Sequence, residues 1–301
     1  MDVFKQVIVQ GDAIPARAYH GSVIFKGNLY VVMGYDGVST YQNGMYWTRD
    51  GQRWQRLSVL TDTDGNTIPV RGFFGLCDYN ARVYLFGGYD SEGDKLNDVY
   101  VSKNMHRWEK LPDAPWSARY GFSALSFNGR IWMLGGQDDS GMLNEVWWTT
   151  DGLSWTQEVN APWAIRRNHG SVVYGNRMFV IGGLGAGGTV NDVWYTEDVR
   201  NWTRMESSAN FSSRHVFGIS VLNNTRIVIS GGYLSAGSYS NEIWHSGNGN
   251  QWQLANTMPM GNLRGHSMNY FNERLVIVGG MHDAEGKNEV WEANNELFGV
   301  R

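Results

Sequence analysis

Six copies of one pattern divide this chain almost evenly. A small or apolar residue and a glycine close a short apolar run at Met33-Gly34, Gly87-Gly88, Gly135-Gly136, Gly182-Gly183, Gly231-Gly232 and Gly279-Gly280, so the second glycines stand 54, 48, 47, 49 and 48 residues apart. Eight or nine residues on come an asparagine, usually an acid, then an aliphatic and an aromatic. The copies are Asn43-Gly44-Met45-Tyr46, Asn97-Asp98-Val99-Tyr100, Asn144-Glu145-Val146-Trp147, Asn191-Asp192-Val193-Trp194, Asn241-Glu242-Ile243-Trp244 and Asn288-Glu289-Val290-Trp291. In the first five copies a tryptophan follows that asparagine by eleven residues, at Trp54, Trp108, Trp155, Trp202 and Trp252. Self-similarity at a period of roughly 20–50 residues marks a repeat architecture, in which each unit buries its apolar face only against its neighbours.

Within a copy the pattern reads as four strands. In the third, Gly121 to Phe127 alternates, Asn128-Gly129 makes a two-residue hairpin turn, and Ile131 to Leu134 is a buried strand ending at the glycine pair. A polar loop leads to the strand Glu145 to Thr149, Asp151-Gly152 turns the chain, and Trp155 falls in an outer strand. A backbone packed near a central axis leaves no room for Cβ and turns with φ > 0, which accounts for the glycines. Tryptophans fill the wedge that widens outward. The bulk composition agrees: 38 Gly, 14% aromatics and 18% charged residues suit neither a disordered chain nor a helical bundle. The prediction is an all-β chain forming one six-bladed β-propeller over residues 1–301, four antiparallel strands per blade, with repeats at about 17–60, 71–114, 119–162, 166–209, 214–258 and 264–301. The sixth copy has Gly299 where the outer Trp should be. Either residues 3–9 supply its outer strand, as Phe4-Lys5-Gln6-Val7 resembles Trp108-Glu109-Lys110-Leu111, or Leu297-Phe298 does.

The glycine pair, the Asn-Asp/Glu-Val-Trp block and the outer Trp resemble the kelch repeat across essentially the whole chain, and Trp148 to Trp155 has the flavour of bacterial or phage kelch proteins. The resemblance implies a kelch-type propeller. Kelch domains that bind acidic peptides use arginines at the mouth of the central channel. Some bacterial six-bladed kelch proteins, such as N-acetylneuraminate epimerase, instead isomerise carboxylated sugars.

Net charge is -4, which argues against a nucleic-acid or acidic-membrane partner. No apolar run approaches the length of a membrane span. With one cysteine, Cys77, no intramolecular disulfide forms. Residues 1–6 show no basic stretch leading into an apolar run, so a cytoplasmic chain is the default, with secretion or virion association left open. Galactose oxidase shares kelch-like repeats and holds copper, but no comparable His/Tyr ligand set is visible; no cofactor or metal is expected. Asp90-x-Glu92-x-Asp94 reads as a hairpin tip, and Asn201, Asn210 and Asn223 match glycosylation acceptors without a secretion signal to support them.

A recurrent arginine at the start of each innermost strand is the best guide to function: Arg17, Arg71, Arg119, Arg166 or Arg167, Arg214 and Arg264. Such a ring would focus positive potential at the channel mouth and favour carboxylates or phosphates. Asp36, Asp90, Asp138, Asp139 and Asp283 on nearby loops could instead neutralise it. His20 and His169 follow two of the arginines by three residues, and His266 takes the same place in copy six. Tyr35, Tyr89, Tyr120, Tyr233, Trp116 and Trp163 would add an aromatic rim, and the longer joint Thr61 to Thr67 would project from that face. The expected function is non-catalytic recognition of an acidic peptide, protein or glycan, by a monomer or a part of a larger assembly. The alternative is a sugar-modifying enzyme with His20, His169 or Glu92 as acid/base.

Overall fold

A computed structural model describes residues 3–57, 60–205, 209–235 and 237–298. They form six blade sheets, antiparallel except where Gln10–Gly11 runs parallel to Arg53–Leu57 at the edge of the first, and one small hairpin, Met281–His282 with Glu285–Gly286. The third is Ser123–Phe127, Arg130–Leu134, Val146–Thr149 and Thr156–Gln157, in that spatial order. Innermost strands pack one on the next, and the sixth packs on the first, so the sheets close into a ring. The only helical turn among the described residues is the 3-10 segment Asn295–Phe298.

The glycine pairs sit where the second strand leaves the axis. Gly88 has φ +106°, and a Cβ there would lie 2.7 Å from the Phe74 Cβ and 2.9 Å from the Gly72 carbonyl oxygen. The first slot is less demanding: Met33 occupies it at φ +54°. Outside, each repeat Trp closes its own turn. The indole N–H of Trp54, Trp108, Trp155, Trp202 and Trp252 donates to the carbonyl three residues back, at 3.0–3.2 Å. That carbonyl belongs to a residue with positive φ, a glycine in three blades and Met105 or Val199 in two.

Each wedge between neighbouring blades holds its own apolar cluster, and each repeat Trp packs into the wedge behind its blade. The wedge between blades five and six has no such Trp. Leu297 and Phe298 fill it from the 3-10 turn, beside Val3 and Phe4. The outer strand of blade six is Phe4–Gln6, paired antiparallel with Val290–Ala293 through Phe4–Ala293, Lys5–Glu292 and Gln6–Trp291. Residues from both ends of the sequence thus share one blade, and their pairing closes the ring.

Candidate functional site

The arginine ring is buried. Arg17, Arg71, Arg119, Arg166 and Arg214 are at most 1% exposed, and each Nε donates to the carbonyl two residues back. Four of them turn into their own blade and meet the acid of the Asn-Asp/Glu block. Arg71 grips Asp98 with both terminal nitrogens, and Arg166 grips Asp192 at 2.7 and 2.8 Å. Arg119 reaches Glu145 and Arg214 reaches Glu242, both at 2.7 Å. Burial opposes the charge on Asp192, but the bonds from Arg166 and Trp194 outweigh it and its pKa falls below the usual carboxylate value. Arg17 has Gly44 in place of the acid and bonds the carbonyls of Met33 and Gly44 instead; burial lowers its pKa to about 10. These five arginines therefore do not line the mouth. They bolt the second and third strands to the entry segment, and for four of them the neutralising acid is the repeat acid. Asp36, Asp90 and Asp138 are otherwise occupied, each capping backbone N–H groups of its own hairpin.

Arg264 is one register step away from this ring. Gly34, Gly88, Gly136, Gly183 and Gly280 donate their N–H to the carbonyls of Arg71, Arg119, Arg166, Arg214 and Arg17, whereas Gly232 donates to Leu263. Leu263, buried and apolar, is the sixth ring residue. The next position runs Ala18, Gly72, Tyr120, Arg167, His215 and Arg264, and these pair with the first residue after each glycine pair: Tyr35, Tyr89, Gln137, Leu184, Tyr233 and Met281. Directly paired residues point to the same side of a sheet. The surface of the loop face is thus set by this second register, which the recurrence of arginine in the sequence obscured.

One position further on, the backbones meet in a closed circle. The N–H of Phe73 donates to the carbonyl of Tyr19, Gly121 to Phe73, Asn168 to Gly121, Val216 to Asn168, Gly265 to Val216, and Tyr19 to Gly265, at 2.6–3.0 Å. All six residues have positive φ, including Tyr19, Phe73 and Val216. This rim lifts Tyr19 and Phe73 onto the mouth, where their rings stack at 4.1 Å between centroids.

Beside the rim lies a cavity of about 400 Å³ lined by Tyr19, Tyr35, Tyr41, Phe73, Tyr89, Lys95, Tyr120, Gln137 and Arg167. The aromatic rings touch in two groups: Phe73 meets Tyr120 at 5.9 Å and Tyr120 meets Tyr89 at 5.3 Å, while Tyr35 meets Tyr41 at 5.2 Å. Burial raises the pKa of Tyr19, and that of Tyr41 to about 12, so both phenols stay neutral donors near pH 7. Arg167 stacks over Tyr120, 5.2 Å from the ring centroid, and bonds its hydroxyl. Lys95 pairs with the exposed Asp139. Of the anticipated aromatics, Tyr35, Tyr89 and Tyr120 are here, and Tyr233 lies across the mouth with His215 and Tyr239. Trp116 and Trp163 are not on the rim. Both are buried in interblade wedges, near the buried Arg119 and Arg166. Tyr19, Tyr41, Phe73 and Lys95 complete the cavity; Tyr41 and Lys95 carried no sequence signal beyond lying across a hairpin from Tyr35 and Tyr89.

Below the rim, the channel is ringed by His20, Phe74, Phe122, His169, Phe217 and His266. The histidines bond serine hydroxyls through Nε2: His20 to Ser267, His169 to Ser123 and His266 to Ser230, at 2.8–2.9 Å. Burial lowers the pKa of His20 well below the usual value and takes His169 and His266 to about 3, so all three are neutral channel packing. His20 and His169 therefore lie beneath the mouth, on the channel side of the backbone rim. No group of three or more His, Cys, Asp or Glu among the described residues is placed to hold a metal ion. Cys77 packs in the wedge between blades two and three. Glu92 is on an exposed hairpin tip. The long joint does not project from the loop face. Thr61 bridges Thr67 and Asp62 runs parallel to Trp108 along the outer edge of blade two, which brings Thr63 beside Lys103, Asn104 and Arg107 at the opposite end.

Comparison with known proteins agrees with this architecture. A family model described as the KLHDC2/KLHL20/DRC7 Kelch-repeats domain matches residues 117–280, and one described as the DUF6242 beta propeller domain matches residues 22–150. Beta-scruin of Limulus polyphemus is 24% identical over 134 residues, 42% of this chain and 14% of that protein. Alpha-scruin of the same organism is 28% identical over 121 residues, 40% of this chain and 13% of its own. The flagellar outer-arm dynein alpha chain of Chlamydomonas reinhardtii is 32% identical over 117 residues, 37% of this chain and 2% of that one. The chain thus spans only a small part of the curated relatives it matches. With six phased blades and a family model covering more than half of the sequence, this chain belongs to the kelch-repeat family of β-propellers.

Proposed function

We propose that this kelch propeller, of a family whose domains typically serve as protein-interaction modules, recognises an acidic peptide, protein or glycan on its loop face, at the tyrosine-lined cavity. The observation that carries the reading is the cavity's composition: six aromatic rings, one lysine and one arginine, with no carboxylate in the lining. Aromatic faces supply apolar contact to peptide side chains or sugar rings while the phenols donate hydrogen bonds. Arg167 adds charge at one wall, held flat on Tyr120 and so already ordered. Recognition here needs no covalent chemistry.

The test is binding of acidic-peptide and glycan arrays to wild type, Tyr89→Ala and Arg167→Ala. An array ligand that wild type holds should weaken at least tenfold in Tyr89→Ala, since a buried aromatic anchor at an interface is worth about 2 kcal/mol or more. Binding that survives both substitutions would place the recognition surface elsewhere.

A further inference from the structure

We propose that Arg167, His215 and Arg264 form an anion subsite for a phosphate monoester whose organic part lies on the neighbouring aromatic rings. The inference rests on reading the loop face as the binding face, and goes beyond it in naming the anion and its seat.

The three residues occupy one register position in blades four, five and six, as their pairing with Leu184, Tyr233 and Met281 shows. Both guanidinium groups act electrostatically on the His215 ring, so the imidazole lies within the field of both. Each of the three side chains leaves a buried nitrogen unmatched: Nε of Arg167, Nδ1 of His215 and Nε of Arg264 have no hydrogen-bond partner. Buried polar atoms of this kind ordinarily find partners. Three of them stand on residues of one register at the channel mouth, where a side-chain rotation would offer each to an acceptor.

Among the described residues neither guanidinium has a carboxylate to neutralise it, unlike four of the five buried ring arginines. Arg167 bonds the Tyr120 hydroxyl, and Arg264 bonds the backbone carbonyl of Asp283 at 2.8 Å. Aromatic rings hold both in place: Arg264 lies 4.7 Å from the Tyr239 centroid and 5.9 Å from that of Tyr233. Two fixed cations and one imidazole match the charge and the three acceptor oxygens of a phosphate monoester better than the two oxygens of a carboxylate. Arg167 also walls the tyrosine cavity, so a ring attached to the phosphate has a surface to lie on.

His215 makes the subsite responsive to pH. Burial, then Arg167 and Arg264, hold its pKa at about 4, and the Tyr233 ring covers it at 5.0 Å. A dianion placed between the two arginines favours the imidazolium, so binding raises that pKa.

The experiment titrates the full chain with phenyl phosphate, benzoate and phenol by calorimetry, and follows the His215 ring protons by NMR across pH with and without phenyl phosphate. Phenyl phosphate should bind at least ten times tighter than benzoate, and Arg264→Gln should lose at least tenfold. The His215 titration should move to higher pH in the complex. Equal affinity for benzoate and phenyl phosphate, or a His215 titration unmoved by phosphate, overturns the proposal even if Arg264→Gln fails to fold. Phosphotyrosine and a hexose 1-phosphate then distinguish a phosphorylated protein side chain from a sugar phosphate, and binding of neither also overturns it. Tyr89→Ala keeps the two readings apart. Loss of array ligands with phosphate binding retained upholds both, while retained array binding without any phosphate binding sinks only the subsite.

Discussion

Removing Arg71 should unfold the protein more easily while leaving loop-face binding intact. The side chain is fully buried, and its terminal nitrogens hold both oxygens of Asp98 and the Gly87 carbonyl, with Nε on the Pro69 carbonyl at 2.9 Å. Arg71→Leu deletes all four bonds and strands a buried carboxylate. Breaking one side of such a pair costs about 3–5 kcal/mol. With a specific unfolding entropy near 2.1 cal/mol/K per residue over 301 residues, that lowers Tm by roughly 5–8 °C. Differential scanning calorimetry at pH 7 gives the number. Blade six shows that the slot accepts an apolar residue, since Leu263 stands there while its repeat acid, Glu289, still accepts the Trp291 indole N–H. Arg71→Leu/Asp98→Leu should therefore recover at least half of the loss. Arg17→Leu, which strands no carboxylate, should cost less than Arg71→Leu. If Arg71→Leu melted like wild type, or if it abolished ligand binding at a temperature where the fold was intact, the assignment of the ring to the scaffold would be wrong.

Three further outcomes follow from the same geometry. His20, His169 and His266 have folded pKa values depressed below the unfolded 6.5, so the unfolded chain binds more protons as pH falls from 6.5 toward about 3; stability should drop over that window by up to about 1.4 kcal/mol per pH unit for each histidine. His169→Phe, the residue found at Phe74, Phe122 and Phe217, should flatten the Tm-versus-pH slope, and an unchanged slope counts against the linkage. Gly88→Ala should destabilise by roughly 3 kcal/mol in urea titration, because it combines positive φ with a Cβ against the Phe74 backbone region; a cost under 1 kcal/mol contradicts the close-approach argument. Deleting residues 1–9 unpairs Val290–Ala293 and takes Phe4 and Val7 out of the clusters they help fill, so stability should fall by about 3–5 kcal/mol; a melt matching wild type would mean the strand is dispensable for closure.

Much of the fold was legible because the repeat marks report backbone geometry. The glycine pairs, the asparagine blocks and the outer tryptophans each answer a steric demand that six blades share, so phasing alone exposes them. The missing Trp of copy six was legible as a gap, but its filling by Leu297 and Phe298 depends on contacts between distant segments that no periodicity encodes. The site was harder for a related reason. Arginine recurrence at Arg17, Arg71, Arg119, Arg166 and Arg214 looked like a binding ring because it was periodic, and periodicity in a repeat protein is the signature of scaffold. The pairing acids stood in the same repeat, at Asp98, Glu145, Asp192 and Glu242. The residues proposed to bind break the repeat instead: Tyr120, Arg167, His215 and Arg264 share one position and differ from blade to blade. Tyr41 and Lys95 come to the cavity through hairpin pairing, and only the register reveals it.

In the proposed function the tyrosine cavity, and not the buried arginine ring, is the recognition surface. Fluorine NMR of the protein labelled with 3-fluorotyrosine, titrated with the tightest array ligand, tests it most directly. Tyr19, Tyr35, Tyr41, Tyr89 and Tyr120 should shift with the ligand, while Tyr46 and Tyr100, which lie against the buried Arg17 and Arg71, should not. Shifts confined to Tyr46, Tyr100 or the tyrosines of the opposite end, such as Tyr79 and Tyr174, would contradict it.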